Sequence, residues 1–216
     1  MQMLLLTVGP IGENCCLVHL GQKRRLYVID PGADAPEIVA AARRMPPADS
    51  VRILLTHAHV DHIGAVGAVA RELKADKVML DPADVALYRS PRNEIFPVLP
   101  AARDLPDTTD FVTDGDFEVL RVPGHTPGGC AFLFPDGEAG TLFCGDTLFA
   151  GSIGRTDLPG GDYETLMESI RTQLLPLPPG TRAYPGHGCS TTIGMVSHTS
   201  YSEFRVLPKI AGYYTY

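Results

Sequence analysis

Residues 57 to 62 constrain this chain more than any other segment, because they hold three imidazoles and one carboxylate: His57, His59, Asp61 and His62. Residues two positions apart share a face only in an extended chain, so His57 and His59 can converge on one ion where a strand ends. The apolar run before them, Ile53 to Leu55, is typical of a strand, and Ile63 to Lys74 after them is typical of a helix. Such a junction is a usual place for ligands in α/β folds, so the segment indicates a metal site.

The composition limits the classes of protein to which the chain can belong. A length of 216 residues predicts a single domain spanning residues 1–216. The 18 basic and 25 acidic residues give a net charge of −7, which argues against nucleic acid and anionic membranes as partners. The apolar run Leu4 to Leu6 is too short for a signal peptide, and no stretch approaches the roughly 20 apolar residues that span a bilayer. We therefore expect a soluble protein.

Strands and helices alternate along the chain after an opening that is typical of a β-meander. Strands are predicted at Leu4 to Val8, Cys15 to Leu20, Arg25 to Ile29, Ile53 to Leu55, Val78 to Leu80, Phe117 to Val122, Cys130 to Phe134, Thr141 to Cys144 and Thr181 to Tyr184. Helices are predicted at Pro36 to Arg44, Ile63 to Lys74, Ala83 to Tyr88 and Tyr163 to Leu175.

Two stretches have no predicted helix or strand. Four prolines lie between Ser90 and Asp116, which predicts a long surface loop that could cover the metal site. The tail from Ser197 to Tyr216 contains four tyrosines, which suit either packing or an association surface.

Three more potential ligands, His125, Asp146 and His187, each follow a predicted strand. Glycine and proline surround both histidines, and these residues favour tight turns in which an imidazole is held against an ion. Five of the seven histidines lie in these motifs. We interpret the other two, His19 and His198, as ordinary polar residues rather than ligands.

On these motifs the chain resembles the metallo-β-lactamase superfamily, whose members carry HxHxDH followed by a histidine, an aspartate and a last histidine. The block from Gly145 to Gly160 is most similar to the single-domain glyoxalase II-like hydrolases. The resemblance implies an α/β fold, a four-layer αβ/βα sandwich with two mixed β-sheets flanked by helices and metals at one edge.

The resemblance also implies which residues bind two divalent metal ions. The first ion would take His57, His59 and His125, the second would take Asp61, His62 and His187, and Asp146 would bridge them. Imidazole and carboxylate donors suit zinc, with iron or manganese as alternatives. Two such ions lower the pKa of a bridging water to ~7, far below that of bulk water, so hydroxide is the expected nucleophile.

The motifs fit a thioester better than an amide as the substrate. A thiolate, whose conjugate acid has a pKa of about 8.5, departs with little help, whereas an amine must be protonated as it leaves. Asp61 is the candidate catalytic residue that could return a proton. The expected substrate is a small glutathione thioester such as S-lactoylglutathione. Arg155 is the candidate contact to a substrate carboxylate, and the alternative is an ion pair with Asp157.

Two rival functions remain open. Persulfide dioxygenases also resemble this chain, and they use one iron and O2 to oxidise glutathione persulfide. Two histidines and a carboxylate are ligands that suit such an iron. A catalytically inert binding module on the same fold is the other rival, since fold does not fix function.

Three further residues have a structural and a functional interpretation. Asp30 is expected to cap backbone amides in a turn, although it could instead orient a ligand histidine. Cys144 is expected in the core, and Cys189 is interpreted as a spectator thiol beside His187. The five cysteines lack the spacing of a disulfide framework, which indicates reduced thiols and a cytoplasmic location.

Overall fold

The computed structural model describes residues 1–95 and 97–197 in full, and the backbone of residues 205 and 206. His198 and most of the tyrosine-containing tail lie outside the described residues. The chain forms two compact units, a first unit of Met1–Phe111 and a second unit of Val112–Tyr216. A single domain over residues 1–216 stays a prediction.

The first unit is built on a mixed sheet of five strands in the order β1-β2-β3-β4-β5. The strands are β1 (Gln2–Val8), β2 (Glu13–Leu20), β3 (Arg25–Ile29), β4 (Ser50–Leu54) and β5 (Lys77–Met79). The first three pair antiparallel, as the predicted meander requires, and β3, β4 and β5 are parallel. Because β3 and β4 run in the same direction, the residues that follow them meet at one edge of the sheet.

Helices of the first unit pack their apolar faces on this sheet. They are α1 (Ala35–Arg44), α2 (Val60–Ile63), α3 (Val66–Leu73) and α4 (Val85–Tyr88). Ile38 of α1 and Val69 of α3 share a fully buried cluster with Leu17, Val28 and Ile53 of the strands. Burial of such side chains, worth about 1.5–3 kcal/mol each, holds the edge residues in place.

The second unit has its own mixed sheet, in the order β12-β11-β8-β7-β6. Its strands are β6 (Glu118–Arg121), β7 (Cys130–Phe134), β8 (Thr141–Gly145), β11 (Arg182–Pro185) and β12 (Thr191–Thr192). A smaller sheet joins β9 (Leu148–Phe149), β10 (Ser152–Ile153) and β13 (Arg205–Val206). Strand β8 is parallel to β11 and antiparallel to β7, which is antiparallel to β6, so β6, β8 and β11 all end at the same edge.

The two faces of the second sheet bury different side chains. On one face, Leu142 and Cys144 pack with Leu166 and Ile170 from the helical segment formed by α5 (Tyr163–Ser169) and the π-helical turn Ile170–Leu174. On the other face, Phe117, Phe132, Phe134, Phe143 and Tyr184 form a chain of aromatic contacts. The core position predicted for Cys144 is confirmed, and burial raises the pKa of its thiol to about 12.

Most predicted elements are present, and the differences are local. The helix predicted from Ile63 to Lys74 is wrong at its start, because a helix begins at Val60, ends at Ile63 and begins again at Val66. The short strands β9, β10 and β12 and the helix α6 (Ile193–Ser197) were not predicted. The predicted loop from Ser90 to Asp116 contains no helix or strand among its described residues, and Thr109 forms a bridge with Met79.

Within the described residues, the structure contains no helix that is long and apolar enough to span a membrane. None of the five cysteines forms a disulfide, and all except Cys189 are buried.

Candidate metal centre

In the first unit, four predicted ligands gather immediately after β4. The rings of His57 and His59 are 4.8 Å apart between centroids, and those of His57 and His62 are 4.1 Å apart. The Nε2 atom of His62 lies 3.7 Å from Oδ2 of Asp61. His59 adopts an extended conformation, with φ −67° and ψ 149°, directly before α2. The extended run therefore brings His57 and His59 together, and the first turn of α2 supplies Asp61 and His62.

Asp30, which follows β3, organises this group of histidines. Its carboxylate accepts hydrogen bonds from the Thr56 backbone N–H at 2.8 Å and from the Thr56 hydroxyl at 2.6 Å. It also lies 3.0 Å from Nδ1 of His62. The two interpretations of Asp30 are therefore both realised, because it caps a backbone amide and it orients a candidate ligand.

These bonds indicate which nitrogen of each ring is available to a metal ion. The Thr56 hydroxyl donates its hydrogen to Asp30, so its oxygen accepts from Nδ1 of His57 at 3.0 Å. Nδ1 of His62 likewise donates to the carboxylate of Asp30. With Nδ1 protonated in both rings, Nε2 carries the lone pair that binds a metal.

Glu13 is a further member of this group that sequence reasoning missed. Its side chain is 1% exposed and places Oε1 3.8 Å from Nδ1 of His62. Glu13, Asp30 and His62 have ligand atoms within 4.8 Å of one another. The sequence signal was weak, since it consists of one acidic residue at the start of β2, a strand that runs antiparallel to β3 and so begins where β3 ends.

In the second unit, the other three predicted ligands lie at the ends of β6, β8 and β11. Oδ2 of Asp146 is 3.8 Å from Nε2 of His125 and 3.7 Å from Nε2 of His187. His125 and His187 are buried, and Asp146 is partly exposed. The common direction of the three strands explains why residues 125, 146 and 187 meet.

Glycines allow the turns of the second unit to pack closely around these ligands. At Gly154 an ideal Cβ would lie 1.8 Å from the carbonyl oxygen of Asp146 and 3.3 Å from Nδ1 of His125. At Gly124 the backbone has a φ of +128°, and an ideal Cβ would lie 2.3 Å from the backbone nitrogen of Leu166. Any side chain at either position would displace the turn that carries a predicted ligand.

Arg155 contributes to this group through its backbone. Its carbonyl oxygen lies 2.7 Å from Nδ1 of His125. Because a carbonyl can only accept, Nδ1 carries the hydrogen and Nε2 carries the lone pair. Its guanidinium forms a bidentate ion pair with Asp157, at 2.7 and 3.0 Å. The structure thus contains the ion pair that was the alternative to a substrate contact, and the contact itself stays a prediction.

The donor atoms fit a metal of the zinc or iron type. Two donors that share one ion, each about 2.0–2.1 Å from it, can be no more than about 4.2 Å apart. The separations of 3.7 and 3.8 Å between Asp146 and its two histidines meet this limit, as does the 3.7 Å between Asp61 and His62. Each distance is also too long for a direct hydrogen bond. Imidazole and carboxylate are the donors that such ions take in proteins.

The family model described as Metallo-beta-lactamase superfamily matches residues 8–187. The chain belongs to this superfamily. Its fold is the metallo-β-lactamase fold, with two mixed β-sheets flanked by helices, and the predicted fold class is confirmed. The chain is accordingly a metallo-hydrolase by family.

Among curated proteins, hydroxyacylglutathione hydrolase GloC of Haemophilus influenzae is 36% identical over 208 residues, covering 90% of this chain and 94% of that protein. The structure of TTHA1623 in a di-iron-bound form is 36% identical, with a TM-score of 0.78 over 92% of this chain and 99% of that chain. The BLEG-1 B3 metallo-β-lactamase is 35% identical, with a TM-score of 0.73 over 93% of this chain and 99% of that chain. These similarities support the family, and two of the relatives carry the names of different activities, a hydroxyacylglutathione hydrolase and a B3 metallo-β-lactamase.

Proposed function

We propose that the chain binds two divalent ions and hydrolyses a glutathione thioester. The first metal position would use His57, His59 and His125, and the second would use Asp61, His62 and His187, with Asp146 shared by both. The observation that carries this proposal is that each unit separately gathers its own predicted ligands. Three donor pairs, Asp61 with His62, Asp146 with His125 and Asp146 with His187, are each close enough to share an ion. Zinc is the expected metal, and the di-iron form of TTHA1623 makes iron the main alternative.

When bound, two such ions supply Lewis-acid chemistry, which ionises a water near neutral pH and polarises a carbonyl group. The chain's own residues would prepare this chemistry. Asp30 and the Arg155 carbonyl hold His62 and His125 in the tautomer that presents Nε2. Asp61 is proposed to return a proton to the departing group, and the residue is 6% exposed, so bulk water competes little for that proton.

A thioester is the substrate class whose leaving group needs the least acid catalysis from these residues. In its hydrolysis a C–O bond to the water oxygen forms, the C–S bond breaks, and the thiolate leaves as an anion. Because the conjugate thiol has a pKa of about 8.5, the leaving group needs no proton in the rate-limiting step. A lactam or peptide would need an acid aimed at its nitrogen. The 36% identity to hydroxyacylglutathione hydrolase GloC supports a glutathione thioester.

A direct test compares substrates on protein loaded with metal. S-lactoylglutathione should be hydrolysed well above background, with loss of the ultraviolet absorbance of the thioester, and a β-lactam should be cleaved far more slowly. A β-lactam cleaved faster than the thioester would contradict the assignment, as would thioester hydrolysis no faster than background with both metal positions filled.

We propose that Arg155 contacts a carboxylate of glutathione. When substrate binds, the guanidinium would give up part of its ion pair with Asp157 and bind the substrate carboxylate instead. Replacing Arg155 by alanine should raise KM for the thioester roughly tenfold or more, because a charge-assisted hydrogen bond is lost. Asp157→Ala is the matched control, since it removes the ion pair and keeps the guanidinium. Equal KM values for both variants and the wild type would leave Arg155 with a structural role only.

A mononuclear-iron dioxygenase acting on glutathione persulfide is the second candidate. The di-iron form of TTHA1623 supports iron as a metal of this family but not a single iron, and ETHE1 of Myxococcus xanthus, 25% identical with a TM-score of 0.71, keeps this candidate open. Metal analysis combined with oxygen uptake separates the two functions. One iron per chain with oxygen consumption supports the dioxygenase, and two metals without uptake support the hydrolase.

A further inference from the structure

Ala58, the residue between His57 and His59, has both of its backbone polar groups held by side chains. Its N–H donates to Oδ2 of Asp84 at 3.0 Å, and its carbonyl accepts from Nδ2 of Asn93. Asp84 is 0% exposed and Asn93 is 7% exposed, so these bonds lie away from solvent. A buried carboxylate that accepts from a backbone amide forms a charge-assisted hydrogen bond, which is stronger than a neutral one.

Both side chains come from one short segment of the first unit. Asp84 ends the 3-10 turn Pro82–Asp84, whose start is capped by Asp81 accepting from the Ala83 N–H at 3.0 Å. Asn93 lies in the loop from Ser90 to Asp116 and donates a second hydrogen bond to the Leu87 carbonyl of α4 at 3.3 Å. The amide of Asn93 therefore ties the loop both to α4 and to the ligand segment. We call Asp84 and Asn93 the Ala58 brace.

We propose that Asp84 and Asn93 are positioning residues for the His57–His59 ligand pair. Two peptide groups join Ala58 to residues 57 and 59, and one carries the Ala58 N–H while the other carries the Ala58 carbonyl. Their orientation sets the directions of the Cα–Cβ bonds of His57 and His59, and hence the angle between the two imidazoles. The brace fixes that orientation from both sides before a metal arrives. This inference rests on the proposed function, because it assumes that His57 and His59 bind the same ion.

Loss of the brace should weaken the first metal position more than the second. Groups that orient metal ligands without touching the metal typically change metal affinity by about 10- to 100-fold when removed. Asp84→Ala also leaves the Ala58 N–H buried with no acceptor, which favours a rotated peptide. Asp84→Asn keeps a carbonyl oxygen at the same place and should restore most of the affinity.

The experiment uses the full chain stripped of metal and titrated with Co²⁺, whose visible spectrum reports ligand geometry. The variants are Asp84→Ala, Asp84→Asn and Asn93→Ala. Tyr88→Phe is the matched control, because it removes an anchor between α4 and Pro106 at 3.1 Å and leaves Ala58 untouched. Hydrogen exchange of the Ala58 amide in metal-free protein is measured in parallel, since it reports the Asp84 bond independently of metal.

We expect Asp84→Ala and Asn93→Ala to lose about 10- to 100-fold in affinity for the Co²⁺ ion at the first metal position. The visible spectrum of that ion should also shift. Exchange at Ala58 should quicken in Asp84→Ala. Asp84→Asn should keep most of the wild-type affinity, and Tyr88→Phe should match the wild type. If Asp84→Ala does not fold, Asn93→Ala decides alone. Wild-type affinity and spectrum in Asn93→Ala and in folded Asp84→Ala would overturn the brace only, whereas a wild type that binds no Co²⁺ would overturn the proposed function as well.

Discussion

At the scale of single residues, Asp30 does more than its sequence context indicated. It follows β3 at a backbone φ of +49°, a conformation that aspartate tolerates better than most side chains. From there one carboxylate serves the Thr56 amide, the Thr56 hydroxyl and the His62 ring. The turn at Asp30 was predictable from Asp-Pro-Gly. The contact between Asp30 and His62, 32 positions along the chain, was not.

We predict that Asp30→Asn lowers metal affinity by about 10- to 100-fold. The asparagine keeps the size of the side chain, but its NH2 group can donate to Nδ1 of His62 and so favours the tautomer that presents N–H to the metal. Zinc titration of the metal-free variant against a competing chelator measures the change.

The loss should be larger at the position that uses His62 than at the one that uses His57, because Asp30 reaches His57 only through Thr56. Affinity equal to the wild type at both positions would show that Asp30 has no part in orienting the ligands.

At the scale of elements, ligands at strand ends were predictable and breaks in helices were not. A strand is recognised from the residues within it. When two neighbouring strands run in the same direction, the residues that follow them meet at one edge of the sheet, as Asp146 and His187 do after β8 and β11. The gap between α2 and α3 depends instead on a close approach. At Gly64 an ideal Cβ would lie 2.4 Å from the Gly32 carbonyl, a tertiary contact that periodicity cannot reveal. Strands of two residues, such as β9 and β10, are also too short to show a period.

The turn that carries His125 depends on Gly124, so we predict that Gly124→Ala is strongly destabilising. Its φ of +128° is unfavourable for alanine, and the added Cβ meets the first turn of α5 at 2.3 Å. Together the strain and the overlap should cost about 3 kcal/mol or more in the free energy of unfolding.

Gly137→Ala is the matched control, since Gly137 has a φ of +65° with open space around it and should cost only about 1 kcal/mol. Urea denaturation of metal-free protein measures both variants. Equal losses would mean that the contact with α5 does not constrain the His125 turn.

At the scale of the whole molecule, the chain forms two compact units, and we propose that they behave as a single domain over residues 1–216. The proposed metal positions take ligands from residue 57 through residue 187, so metal binding should couple the folding of both units. We predict one cooperative thermal transition for the metal-loaded protein, with coincident midpoints by far-ultraviolet circular dichroism and by tyrosine fluorescence. The chain contains no tryptophan, so tyrosine is the fluorescent reporter. Two separated transitions would contradict a single domain.

The account as a whole depends on the seven proposed ligands acting together on two ions, which elemental analysis of protein purified without added metal tests most directly. We predict about two transition-metal ions per wild-type chain, and far fewer in Asp146→Ala, because its carboxylate is shared by both positions. His187→Ala should lose mainly the second ion. A wild type that carries no metal and gains none on incubation, or an Asp146→Ala variant that keeps the full complement, would contradict the account.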